Sequence, residues 1–281
     1  MLIGIIGNGY VGGATALLGE HAGIECLVYD KEPARSVPIN LSLEELKPCD
    51  LIFICVPTPM FPDGRCCTEA VKEVVHNLKH LSISPDKIVV RSTVPVGTCD
   101  SLGVNFMPEF LTEAEWQEDF RRNKDWIIGM DFESEFDSPE LWKKRSPFSE
   151  LAGIANKNIF YIGTREAELV KLTRNAFLAV KVSFFNEVEL FCSENDLNFE
   201  TVRLGITKDK RIGRSHSKVP GPDGKRGFGG TCFPKDLNSL IFQMYEGYRK
   251  TPSLLRTALH RNDNIDRKDK DWQNNKGRAV V

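Results

Sequence analysis

The chain has 281 residues, 41% hydrophobic and 27% charged, with 37 basic against 39 acidic side chains for a net charge of −2. Values this close to globular averages exclude a disordered or collagen-like chain and the basic footprint of a nucleic-acid binder. At about 150 residues per domain, the length suggests two domains.

The chain opens on Leu2-Ile3-Gly4-Ile5-Ile6, which predicts a strand and lacks the basic start and cleavage site of a secretory signal. A helix is predicted over 10–22 and a second strand over 25–29. Apolar runs at 51–56 and 87–91 predict buried strands, with an amphipathic helix over 68–81 between them. Shorter strands are expected at 105–107, 126–129 and 159–162. Strands alternating with helices predict a parallel sheet covered on both faces. From Arg165 to about Asn195 there is neither Pro nor Gly, and Leu169, Leu172, Ala176, Ala179, Val180, Phe184, Val188 and Phe191 recur at helical steps. This predicts a single helix about 45 Å long, suited to spanning two domains or lining a subunit interface. The domain boundary is placed at Gly163, giving 1–163 and 164–281. Residues 212–231 are rich in Gly, Pro and Lys/Arg and predict a loop. No apolar run approaches the roughly 20 residues of a membrane helix, so a cytoplasmic protein with no membrane partner is expected.

Gly7-Asn8-Gly9-Tyr10-Val11-Gly12 follows the first strand and opens the first helix. In such a G-x-G-x-x-G turn, the first Gly permits the tight bend, the second admits a pyrophosphate, and the third packs helix on strand. Asp30 closes the next strand, eighteen residues past Gly12, where a carboxylate can accept both ribose hydroxyls and repel a 2′-phosphate. Nearby Lys31 and Arg35 temper that preference. The expectation is an N-terminal Rossmann-type, doubly wound α/β domain binding NAD, followed by a helical domain with one long helix.

Eight cysteines have neither a CxxC pair nor zinc-type Cys/His spacing, so no metal site is expected and most read as small buried hydrophobes. Cys232 differs. In Gly227-Phe228-Gly229-Gly230-Thr231-Cys232-Phe233-Pro234-Lys235-Asp236, the glycines admit a substrate and Pro234 suits a first helical turn. The thiol then lies at a helix N-terminus beside Lys235, two features that favour a nucleophilic thiolate, with Asp236 one turn on.

At this segment the chain resembles the UDP-glucose/GDP-mannose dehydrogenase family. The likeness also rests on Val56-Pro57-Thr58-Pro59, Ser92-Thr93-Val94-Pro95-Val96-Gly97-Thr98, Pro108-Glu109-Phe110-Leu111, Glu168 to Lys171 and on to Asn175, and Arg211-Ile212-Gly213. The resemblance implies a four-electron, NAD-dependent oxidation of a nucleotide sugar such as UDP-glucose to its uronate, through a thiohemiacetal and thioester on Cys232. It implies that Lys171 and Asn175 stabilise the oxyanion, that Glu109 activates the hydrolytic water positioned by Thr93, and that Asp236 supports the hydrogen bonds. NAD contacts are expected from Gly7, Gly9, Tyr10, Val11, Gly12, Asp30, Thr58 and Thr93. Substrate contacts are expected from Glu109, Phe110, Leu111, Glu113, Lys171, Asn175, Phe228, Gly229 and Gly230.

Glu109 and Glu113, as two carboxylates sharing a site, predict one pKa pushed upward. Arg211 is implied to reach the sugar of a partner subunit, which makes a homodimer through the long helix part of the site. Two departures stand out. The family continues into a second α/β domain that completes the nucleotide-sugar site, whereas Val281 falls where its linker begins, and Met107 replaces a small polar residue. A two-electron hydroxyacid-type dehydrogenase and a non-catalytic NAD-binding relative are the alternatives. Cys232 argues against the first, and joint retention of the catalytic set argues against the second.

Overall fold

The computed structural model describes residues 1–113, 115–130, 146–248 and 253–281. These fold as two compact units, Met1–Thr58 with Thr68–Lys171, and Pro59–Cys67 with Leu172–Val281.

The first unit is built on a seven-stranded sheet of order β2-β1-β3-β4-β5-β6-β7. Its strands are β1 (Leu2–Ile6), β2 (Glu25–Tyr29), β3 (Leu51–Ile54), β4 (Ile88–Val90), β5 (Asn105–Phe106), β6 (Asp125–Met130) and β7 (Asn158–Gly163). The helices α1 (Tyr10–Ala22), α2 (Glu69–His80), α3 (Thr98–Leu102), α4 (Trp116–Arg122) and α5 (Pro147–Ala155) connect them. Period-two alternation sends neighbouring strand residues to opposite layers. Ile3, Ile5, Leu51 and Phe53 join Ala14, Leu17, Phe148 and Leu151 on one side. Ile6, Ile52, Ile54 and Val90 join Val71, Val75 and Leu78 on the other. Burial on both faces explains why these strands read as continuous apolar runs.

One pairing departs from the parallel expectation: β5 and β6 run antiparallel. Among the described residues, the chain between them holds the seven-residue α4, which packs on α1.

The helix expected from Arg165 is α6, Thr164–Glu194, 31 residues long. Lys171 is the last residue of the first unit and Leu172 resumes the second, so the helix carries residues of both. The second unit continues with α7 (Phe199–Thr207), α8 (Phe233–Tyr248) and α9 (Ser253–Arg261). Leu172, Ala176, Ala179 and Phe185 of α6, and Leu237 and Leu240 of α8, are buried. Among the described residues, no helix is long and apolar enough to cross a membrane.

Candidate active site

The functional segments of the first unit follow the carboxyl ends of β1, β3, β4 and β5, where open α/β sheets place their ligands. After β1, Gly7 adopts φ +96° and its N–H donates to the Tyr29 carbonyl at 2.8 Å. A Cβ on Gly7 would lie 2.8 Å from the Cys55 carbonyl oxygen, and one on Gly12 would lie 1.8 Å from the Gly7 oxygen. A Cβ on Gly9 would meet nothing within 4 Å. The turn is thus closed at Gly7 and Gly12 and open at Gly9. Tyr10 and Val11 begin α1, whose first N–H groups point out of its N-terminus. The Asp30 carboxylate accepts from the Asn8 N–H at 2.8 Å and the Glu32 N–H at 3.0 Å. Arg35 lies 3.9 Å from it.

Thr58, beyond β3, donates to the Thr93 carbonyl beyond β4 at 2.7 Å. Beyond β5, Glu109 is buried together with Lys171. The Lys171 ammonium donates to the Glu109 carboxylate at 2.7 Å and to its carbonyl at 2.6 Å, and stands 5.6 Å from the Phe110 ring centre. The other Glu109 oxygen accepts from the Leu111 N–H at 2.8 Å. Burial alone would raise the Glu109 pKa. The charge and hydrogen bond of Lys171, the Leu111 N–H and the Arg91 charge outweigh it and hold the carboxyl below the usual range. The upward push expected from a Glu109–Glu113 pair is therefore corrected. The lysine, 62 residues away in sequence, governs Glu109, while Glu113 is exposed on the turn beyond.

Two further residues of this unit were given no role from the sequence. Glu168 is fully buried and accepts from the N–H groups of Gly97 and Cys99 at 2.5 and 2.7 Å, fixing the start of α3 to α6. Its position one turn before Lys171 was the available signal. Arg91 is buried, donates to Thr15 of α1 at 2.9 Å, and adds its charge to the Glu109 environment.

The second unit holds the other group. Asp236, in the first turn of α8, is 1% exposed. It accepts from Asn175 at 2.6 Å and from the Lys235 ammonium at 2.6 Å. Burial would lower the Lys235 pKa, but Asp236 and the Cys66 and Cys232 thiols beside it raise it well above the ordinary lysine value. Cys232, half-buried, immediately precedes α8, with its sulfur 3.8 Å from the Thr231 hydroxyl. Burial pushes the Cys49 and Cys55 thiols up to about 11.

The glycine segment is held from the C-terminal side. Phe228 donates its N–H to Asn262 at 2.7 Å, and a Cβ on Gly229 would lie 2.4 Å from the Arg267 guanidinium. Phe228 is buried and Gly230, at φ +72°, is exposed. Arg211, with an 89% exposed side chain, pairs with Asp209 at 2.6 Å. No group of His, Cys, Asp and Glu among the described residues could hold a metal ion.

Two family models match the chain: the UDP-glucose/GDP-mannose dehydrogenase NAD binding domain over residues 38–143, and the central domain over residues 165–264. The chain belongs to the UDP-glucose/GDP-mannose dehydrogenase family. A UDP-glucose 6-dehydrogenase of Pseudomonas aeruginosa is 34% identical over 238 residues, covering 78% of this chain and 50% of that protein. The UDP-glucose 6-dehydrogenase YwqF of Bacillus subtilis is 30% identical over 312 residues, covering 94% and 66%. The chain thus spans between half and about two thirds of the length of these relatives. The structure of a UDP-glucose dehydrogenase from Pyrobaculum islandicum superposes with a TM-score of 0.77 at 27% identity, over 93% of this chain and 68% of that one.

The cofactor of this family's N-terminal domain is NAD, and the first unit's residues fit it. The open side of Gly9 leaves room for a pyrophosphate at the α1 N-terminus, and Asp30 presents a fixed carboxylate for a ribose diol.

Proposed function

We propose that the chain oxidises the C6 alcohol of a nucleotide sugar, UDP-glucose, to the uronate in two NAD-dependent steps, with Cys232 as covalent nucleophile. The observation that carries this reading is the setting of Cys232, partly accessible at the head of α8 beside an ammonium that Asp236 keeps protonated. A fixed cation and a helix N-terminus both favour the thiolate. The curated relatives' names support the substrate.

Bound NAD would accept a hydride in each oxidation. As the alcohol gives its proton to water and its hydride to the coenzyme, the Lys171 ammonium and the Asn175 amide meet the charge developing on oxygen. These two residues stand one turn apart on α6, which supports their serving one oxygen. The Cys232 sulfur then adds to the aldehyde carbon, and the oxygen takes up a proton to give the thiohemiacetal. Loss of a second hydride and that proton gives the thioester. Water positioned by Thr93 and deprotonated by Glu109 attacks the thioester carbon, the C–S bond breaks, and Cys232 leaves as thiolate. A carboxyl held below its usual range is ionised at neutral pH and so able to accept the proton, and the same depression makes it a weaker base.

The chain pairs with a second copy through the outer face of α6, and Arg211 reaches the partner's substrate. Phe177, Phe184 and Phe191 are 67%, 52% and 59% exposed and recur every seven residues, as the seam of a helix pair does.

The test is the stoichiometry of UDP-glucose oxidation. Two NADH per sugar are expected. One NADH would favour the two-electron alternative, and NAD binding without turnover of any nucleotide sugar would leave only a coenzyme-binding protein.

A further inference from the structure

Two buried asparagines of the second unit have no part in the reaction above. Asn186 of α6 is 1% exposed, and Asn262, the residue after α9, is 0% exposed. Their side chains take consecutive backbone donors of the glycine segment. The Gly227 N–H donates to the Asn186 amide oxygen at 3.1 Å, and the Phe228 N–H donates to that of Asn262 at 2.7 Å. Neither N–H has a backbone acceptor among the described residues, so the two amides supply the partners that a helix or strand would otherwise supply.

Both amides are themselves fixed. The Asn186 Nδ2 donates to the Val182 carbonyl at 2.8 Å, which leaves its oxygen facing Gly227. The Asn262 carbonyl accepts from the Arg267 N–H at 2.7 Å. The Arg267 guanidinium, held by Asp271 at 2.6 and 2.8 Å, lies against Gly229. Gly227 adopts φ +69°, and a Cβ there would collide with the Asn262 amide oxygen, so glycine is what admits this contact. Asn175 and Asn186 stand about three helical turns apart, on one face of α6. That face holds both ends of the segment that carries Cys232: Gly227 through Asn186, and Asp236 through Asn175 at 2.6 Å.

Between these anchors lie Gly229 and Gly230, the latter at φ +72°, where backbone freedom would otherwise let the sulfur wander. Reacting atoms must stand about 3–3.5 Å apart, and a displacement of about 1 Å can cost about a hundredfold in rate. We propose that Asn186 and Asn262 are positioning residues for Cys232, holding the glycine segment so that the sulfur meets the aldehyde carbon before the aldehyde escapes. This role rests on the oxidation proposed above, in which the first hydride leaves before the sulfur acts. Loosening the segment therefore uncouples the two oxidations instead of slowing both alike.

The test is Asn186→Ser and Asn262→Ser in the full chain. Serine is too short to reach either N–H and leaves room for a water to meet it, and one folded variant suffices. With UDP-glucose and NAD, kcat for uronate should fall at least about thirtyfold while the KM for UDP-glucose changes less than about threefold. NADH per sugar should fall from two toward one, with the released aldehyde trapped by hydroxylamine as its oxime. Asn186→Asp, which keeps the accepting oxygen, should recover both the rate and the stoichiometry. Without substrate, iodoacetamide labelling of Cys232, read by peptide mass spectrometry at pH 7, should be at least about threefold slower in the serine variants, because the sulfur is no longer held at the helix N-terminus beside Lys235. A parental kcat, a lower rate that still yields two NADH, no recovery in Asn186→Asp, or labelling that is not slowed would each overturn the proposal. A parent protein that oxidises no nucleotide sugar would remove the oxidation reading instead, and the labelling rates alone then decide whether the two amides place the sulfur.

Discussion

Replacing Lys171 by Met isolates the buried pair at the centre of the first unit. Both side chains are nearly inaccessible, 3% for Lys171 and 8% for Glu109, and the ammonium donates to the carboxylate at 2.7 Å. Removing one partner of a buried pair destabilises by about 3–5 kcal/mol, because the other charge is left behind. Glu109 has an escape, which is to take up a proton. In the native protein its pKa is depressed, so the pair's stabilisation is present above the unfolded-state pKa of about 4.3 and is lost as pH falls through the folded value. In Lys171→Met, burial dominates and the pKa rises, so stability falls as pH increases above about 4.3. The gap between the two proteins should therefore be small near pH 4.5 and widen to about 3 kcal/mol or more at pH 8. Urea unfolding of both proteins across that range measures it, and Lys171→Met/Glu109→Gln should recover most of the loss at pH 8. A gap independent of pH, or below about 1 kcal/mol throughout, would refute the assignment of Lys171 as the group that keeps Glu109 ionised.

The glycine turn separates fold from cofactor. Gly12→Ala forces a Cβ into the Gly7 oxygen and should lower stability by about 1–3 kcal/mol, whereas Gly9→Ala should unfold like the parent yet bind NAD at least tenfold more weakly by calorimetry. Asp30→Ala removes a charged acceptor for the ribose hydroxyls; such a hydrogen bond contributes about 1.5–3 kcal/mol, so the loss of even one should raise the NAD Kd by at least about tenfold, and unchanged affinity would remove that role. If the chain pairs through α6 as proposed, Phe184→Asp, at an exposed position on that helix, should leave a monomer in light scattering with the far-UV spectrum intact, and an unchanged mass would contradict the pairing.

Most strands and helices of the first unit were legible because each writes its own period. The Gly7–Gly12 turn and Asp30 carry a spacing that states their geometry. The same holds for α6, where an absence of Pro and Gly and a helical apolar repeat suffice. What was not legible depends on distant partners. The antiparallel β5–β6 pair follows from the packing of a short α4 on α1, which no local pattern encodes. The Lys171–Glu109 contact joins residues 62 apart. It reverses the pKa direction that two neighbouring glutamates suggest, because a lysine within hydrogen-bonding distance outweighs a second carboxylate. Likewise, Pro59–Cys67 lies in sequence between the strand at 51–56 and the helix over 68–81, yet belongs with the helical unit, where Cys66 comes to neighbour Lys235.

Hydroxylamine added during turnover of UDP-glucose and NAD tests most directly whether the sugar is carried on Cys232. A thioester is intercepted as a hydroxamate, whereas a free aldehyde yields only an oxime. The account predicts a UDP-linked hydroxamate from the parent protein and none from Cys232→Ser. Uronate formed with no trace of hydroxamate, or hydroxamate persisting in the serine variant, would contradict it.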